Sequence, residues 1–247
     1  MSGDAARTLD PEYPNLAPDV VAGYRNAPEH LVAEIIDGEL SLMPRPRLRH
    51  ARSASALGGE LQGPFDRGRG GPGGWIILDE PELHLGPRPD IVVPDLAGWR
   101  RERVPAGFME DAAATLAPDW CCEVLSPSTE EVDRGRKLDI YRREGVAHVW
   151  LVSPTLRSVE VLRRHDLGWL LVATFRGDAV VRAEPFDAVE LDLEAPPPHR
   201  YGAQSAARSS STASKGSART TAPPRFWRPP IPLPTSLSLF LLRESPR

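Results

Sequence analysis

Over residues 28–44, apolar and β-branched positions flank Asp37-Gly38, a dipeptide that strongly marks a two-residue hairpin. From 50 to 61, Ala51, Ala54, Leu57 and Leu61 recur at helical spacing, although Gly58-Gly59 weakens the pattern. A glycine-rich stretch over 68–74 then leads to strand-like runs at 75–78, 82–85 and 91–99. Residues 120–125, WCCEVL, read as a short buried strand that Ser126-Pro127 stops. Ser128 with Glu131 has the capping-box pattern, predicting a helix from about 129 to about 144 with Gly145 as its C-terminal stop. Beyond it come a strand over 146–152 and a hairpin of two strands, 158–163 and 169–175, turning around 166–168.

Composition changes the picture mainly at the C-terminal end. From Pro196 onward, 52 residues include ten prolines and nine serines with little apolar periodicity, which predicts disorder. That tail carries eight basic residues against one acidic, whereas the remainder carries 22 basic against 33 acidic. An acidic body argues mildly against tight non-specific binding to a polyanion, but carboxylates that hold a cation remain compatible with phosphate chemistry. A solvated tail is expected, with a basic nucleic-acid-binding arm as the alternative. The neighbouring Cys121 and Cys122 offer no disulfide framework and no metal spacing, which fits a reducing cytosol. The first residues show no basic stretch followed by an apolar run, so no signal peptide is expected. The apolar stretch 231–242 contains two prolines and is well short of the roughly 20 residues a membrane span needs. A soluble, cytoplasmic protein without membrane contact is therefore the expectation.

The chemistry starts from two acidic residues inside apolar runs, Asp95 in IVVPDLAGW and Glu123 in CCEVLS. Charged side chains are rarely buried unless paired or metal-bound. Two carboxylates about 4 Å apart repel by about 4 kcal/mol at an effective dielectric near 20, and a cation between them removes the conflict. For either residue alone, a solvated strand face or an arginine partner competes evenly. Lys137 shifts that balance. Glu123 lies roughly 10 Å into the sheet from Ser126, and Lys137 lies roughly 12 Å along a helix that starts at Thr129 and folds back over it. At that level a lysine could orient a water or stabilise developing charge, although a surface lysine in a charged helix is the common alternative. Glu34, ahead of the Asp37-Gly38 turn, could add a further carboxylate, with Glu39 competing for that role. Asp90 is the main rival to Asp95, expected at the more exposed start of the strand.

AEIIDGEL, IVVPDLAGW, WCCEVLSPST, DRGRKLDIYRREGV and HVWLVSP, in this order and spacing, resemble the Uma-two family of restriction endonucleases, a branch of the PD-(D/E)XK superfamily. The resemblance runs from about Leu31 to Leu193 and implies that Asp95 and Glu123 are metal ligands and that Glu34 is the glutamate of the first motif. The superfamily's lysine two residues after the glutamate is missing, since Leu125 stands there; the resemblance implies a lysine displaced onto the next helix, Lys137. Where the family often has Asp before proline in WLVDP, this chain has Ser153, expected to affect packing or a loop. The implied fold is α/β and restriction-endonuclease-like, with a central mixed β-sheet flanked by helices, extra β-hairpins, and the site on strands near the sheet's edge.

The expected organisation is an N-terminal extension over 1–27, an endonuclease-like domain over 28–195 and the tail over 196–247. The expected reaction is hydrolysis of DNA phosphodiester bonds with Mg2+, for which Mn2+ would substitute, and restriction-type nucleases suggest a homodimer by analogy. Two rivals stand beside it: a catalytically silent copy of the fold that binds nucleic acid or regulates, and a metal-free hydrolase with paired carboxylates. His50, His84 and His148 read as capping, solvent-facing or structural residues. The glycine-rich stretch lacks the ending of a phosphate loop and reads as a connection. Trp99, Trp120 and Trp150 are expected in the core or at its rim.

Overall fold

Asp37 and Gly38 both adopt positive φ, 53° and 79°, the twist that closes a two-residue hairpin. In the computed structural model, which describes residues 10–192 except 178 and 189, this turn joins β1 (Leu31–Ile36) to β2 (Glu39–Pro44), after a short helix α1 (Pro18–Arg25). There follow α2 (Leu48–Leu61), β3 (Trp75–Asp79), β4 (Leu83–Leu85), β5 (Asp90–Val92), β6 (Leu96–Arg100) and β7 (Trp120–Val124). A helical segment comes next, built from α3 (Glu130–Val132), a π turn (Asp133–Lys137) and α4 (Leu138–Arg143). The strands β8 (His148–Ser153), β9 (Ser158–His165) and β10 (Gly168–Arg176) follow it. The tail assigned to 196–247 lies outside the described residues.

The strands form a four-stranded sheet, β2-β1-β5-β4, and a six-stranded sheet, β10-β9-β8-β7-β6-β3. Only β7 and β8 pair in parallel within the larger sheet, so it is mixed, and the helical segment between them is the crossover that parallel strands require. β7 is buried along its whole length because both faces are covered, which is why WCCEV reads as a nearly continuous apolar run. On one face Trp120, Cys122 and Val124 pack with Leu57, Leu61 and Trp150 beneath α2. On the other, Cys121 packs with Ile140, Tyr141 and Leu151 beneath α4. Trp99, Trp120 and Trp150, expected in the core or at its rim, are fully buried.

Three expectations change. The run over 91–99 is not one strand: it breaks after Val92, and the chain crosses from the small sheet to the large one through Val93-Pro94-Asp95. Proline has no N–H to offer a ladder, and the Val93 N–H goes to the Glu34 side chain at 2.8 Å. The helix predicted from 129 to 144 is present but contains a π turn, and the capping box read at Ser128 and Glu131 does not start it: Ser128 Oγ bonds Ser126 Oγ, the N-cap residue is Thr129 with no side-chain cap bond, and the Thr129 and Glu130 N–H groups bond the Ser126 carbonyl at 3.1 and 2.9 Å. Finally, the strands of the site are not all near the large sheet's edge: β6 is next to the edge strand β3, but β7 is central, with two strands beyond it on one side and three on the other. The N-terminal residues expected as an extension carry α1, and Tyr13, Leu16 and Val21 pack with Ile35 and Ile91 in a small core of their own. Among the described residues, no helix is long and apolar enough to cross a membrane.

Gly38 is a position where backbone conformation limits the residue type, and a Cβ there would also meet the Arg88 guanidinium. Gly38→Ala is expected to lower stability by about 1–2 kcal/mol. Urea unfolding checks this: the midpoint falls with the slope unchanged, whereas an unaltered midpoint contradicts the turn assignment.

Candidate active site

Side chains alternate along β7, so Glu123 shares the face of Cys121, under α4 rather than under α2. Leu96 of β6 pairs antiparallel with Cys122, and Asp95 immediately precedes it at the point where the chain enters β6. One Asp95 oxygen, Oδ2, accepts the Val124 N–H at 2.6 Å. Its Oδ1 lies 3.3 Å from His50 Nε2 at the start of α2.

The helical segment closes the cluster. Lys137 Nζ stands 2.9 Å from Glu34 Oε1, 3.5 Å from Glu123 Oε2 and 3.6 Å from Asp133 Oδ1, and all four side chains are buried. The Tyr141 hydroxyl donates to Glu123 Oε1 at 2.5 Å. Asp133, Lys137 and Tyr141 are spaced i, i+4 and i+8, so they form one stripe of the helix facing the sheets. The π turn that spans Asp133 to Lys137 is the local irregularity in this stripe, a feature frequent at functional sites.

Burial pushes the Glu123 carboxyl well above the usual carboxylate range; the Lys137 ammonium opposes this, while Asp133 and Asp95 add to it. Burial raises Asp133 as well, again against Lys137. For Lys137 burial alone favours the neutral amine, but Glu123, Glu34 and Asp133 outweigh it and hold the group protonated, above the ordinary lysine value. His50 is raised because the Asp95 carboxylate outweighs its own burial. Burial and then Glu123 push the Tyr141 hydroxyl up, so it remains a donor.

Of the residues singled out from the sequence, Glu34, Glu123 and Lys137 thus meet where the two sheets adjoin, and Asp95 lies beside them on the Val124 N–H, near enough for its charge to raise Glu123. The candidate donors are four carboxylates, Glu34, Glu123 and Asp133 around Lys137 and Asp95 on the Val124 N–H, all oxygen donors of the kind a hard divalent cation prefers. As placed, three of them spend oxygens on the ammonium, and among the described residues no three His, Cys, Asp or Glu converge on one point suited to a metal ion.

The rivals fall elsewhere. Asp90 is buried, not exposed as its strand-end position suggested, because it anchors the hairpin: its Oδ1 accepts the Asp37 N–H at 2.5 Å and its Oδ2 pairs with Arg143. Glu39 is exposed and pairs with Arg136 at 3.1 Å. His84 pairs with Glu82 and His148 with Glu184. Ser153 accepts the Leu156 N–H at 3.2 Å and so shapes a turn. Sequence reasoning missed Asp133, Tyr141 and His50. The first two were detectable as helical-stripe partners of Lys137, whereas His50 reaches Asp95 only through the tertiary fold.

Residues 11–194 match the family model Uma2, whose description is "Putative restriction endonuclease". Among solved structures, the crystal structure of "a putative nuclease belonging to DUF820" from Anabaena variabilis ATCC 29413 superposes with a TM-score of 0.54 at 21% identity, covering 66% of this chain and 87% of that one. At that identity the likeness speaks for the fold alone. No curated protein matches the chain.

Lys137→Met leaves the buried carboxylates without their ammonium and is expected to destabilise the protein by about 3–5 kcal/mol near pH 8. The uncompensated carboxyls then have folded pKa values above their unfolded ones. The deficit is therefore full at high pH and shrinks as the pH falls into the carboxylate range and they protonate. Denaturant unfolding of both proteins at pH 8 and pH 5 checks this; a deficit of the same size at both contradicts the electrostatic reading.

Proposed function

The chain belongs to the Uma2 family of restriction endonucleases, and on that premise we propose that it hydrolyses DNA phosphodiester bonds with a divalent cation. Mg2+ is the natural ion of this reading and Mn2+ its substitute. Asp95 and Glu123 would hold the ion, with Glu34 assisting. The observation that carries the reading is the burial of carboxylates from separate segments around a single ammonium, an arrangement that demands more positive charge than Lys137 supplies. A bound cation supplies activation of a water and neutralisation of charge on the phosphate.

The protein's own groups prepare that site. The Val124 N–H and His50 fix both oxygens of Asp95, and Tyr141 fixes one oxygen of Glu123. A carboxylate whose rotamer is locked by such partners loses no further freedom when it binds. Lys137 is held protonated by its carboxylate neighbours, so its role in this reading is to stabilise charge on a phosphate oxygen rather than to accept a proton. Asp133 keeps that ammonium in place from one helical turn away.

The test is cleavage of supercoiled plasmid in MgCl2 and in EDTA by the wild type, Asp95→Asn and Glu123→Gln. The wild type is expected to cleave only with the metal, and each variant to be at least about 100-fold slower, a loss of about 2.7 kcal/mol, with unchanged circular dichroism. Cleavage that persists in EDTA replaces this reading with a metal-free acid/base pair. DNA binding without cleavage by the wild type replaces it with a binding or regulatory module.

A further inference from the structure

On the face of the large sheet opposite Glu123, between α2 and the ends of β8, β9 and β10, the protein has a cavity of about 100 Å³. Its floor is apolar and built from Leu57, Val159, Phe175 and Val181. Its mouth is basic: Arg52 and Arg176 line it and both are exposed; Arg52 has no carboxylate partner among the described residues, and Arg176 lies near enough to Glu160 to lower that carboxyl. Most other arginines near the candidate site are committed, Arg134 to Glu160, Arg136 to Asp37 and Arg143 to Asp90.

The cavity adjoins the carboxylate cluster without belonging to it. Ser53, which lines the cavity, is one helical turn along α2 from His50, whose imidazole touches Asp95. Val152, another lining residue, pairs with Val124, the residue whose N–H holds Asp95. Arg47 and Arg49, both exposed, extend the positive charge along the start of α2 toward His50.

We propose that this cavity receives one unpaired nucleotide of the DNA substrate, its base against Phe175 and the aliphatic floor and its phosphates at the basic mouth on Arg52 and Arg176. The proposal rests on the nuclease reading and names the form of substrate that the same site takes. Two features favour a nucleotide over another occupant. An apolar floor with an aromatic side chain suits the face of a base, whichever base it is. Guanidinium groups at the mouth suit the phosphates on either side. A base in a duplex is stacked and cannot enter, so the nucleotide is one that is already single-stranded or that leaves the stack.

The test is binding in EDTA, where no cleavage intervenes, measured by fluorescence anisotropy on the full chain with a labelled single-stranded oligonucleotide, the fully paired duplex of the same sequence and a single-stranded oligonucleotide of abasic sites. Ala56→Trp fills the cavity from an exposed position on α2. Arg52→Glu and Arg176→Glu, both at exposed positions, reverse the charge at the mouth without touching the core. The wild type is expected to bind the single strand at least tenfold more tightly than the abasic strand and the duplex. Ala56→Trp is expected to erase the preference over the abasic strand, and the two charge reversals to weaken binding of all three probes. A wild type that does not prefer bases, or an Ala56→Trp protein with the wild-type preference, overturns the proposal. If base-dependent binding is found but the wild type cleaves nothing in Mg2+, the nuclease reading fails and the nucleotide site stands. If the wild type cleaves plasmid but shows no base dependence, the nucleotide site fails and the nuclease reading stands.

Discussion

A single buried ammonium is the constraint on which the arrangement depends. Lys137 lies within 3.6 Å of carboxylates from β1, β7 and its own helical segment. Without it, those groups would face one another across a medium where like charges repel by several kcal/mol. Removing a charge from water is costly, and burying an ion pair rarely gains stability over an apolar pair of the same shape. A cluster of this kind is therefore a poor device for stability alone. What it does impose is position: the π turn, the small sheet and the central strand of the large sheet must meet at one distance and in one register for the charges to balance.

That demand explains local features that otherwise look unrelated. The chain leaves β5 and enters β6 at Val93-Pro94-Asp95, so that Glu34 can take the Val93 N–H while Asp95 takes the Val124 N–H. Backbone donors that a continuous strand would spend on a neighbour are spent on the two acidic side chains. Asp90, a few residues earlier, does the opposite kind of work: it secures the Asp37-Gly38 turn and Arg143 and so braces β1 against α4 from outside the cluster. His50 links the other side of the sheet to the same point, because α2 begins where Asp95 ends the crossing.

Local signals in the sequence carried the elements well and the site only in part. Asp37-Gly38 specified its hairpin because positive φ at two successive positions is a local requirement. The run WCCEV specified a strand covered on both faces, and its single charge marked the residue that needed a partner. Helical rise and strand rise bring Lys137 to the level of Glu123 but do not say which way its side chain turns, which the packing of the helical segment decides. The break at Pro94 was hidden because the residues on both sides of it are apolar and extended; only the contact from Glu34, distant in sequence, shows where the ladder ends. Asp133 was masked by the neighbouring Glu130 and Glu131 in a helix rich in both charge signs, although its spacing from Lys137 and Tyr141 was available. His50 and the cavity beside it depend on how α2 lies over β8 and β9, which no local pattern encodes.

The central claim is that these carboxylates form one cation site, and anomalous scattering from crystals soaked in MnCl2 tests it most directly. The account predicts a manganese peak coordinated by carboxylate oxygens of Asp95 and Glu123. Saturating manganese with no peak at this position, and with the Lys137 ion pairs intact, would contradict it.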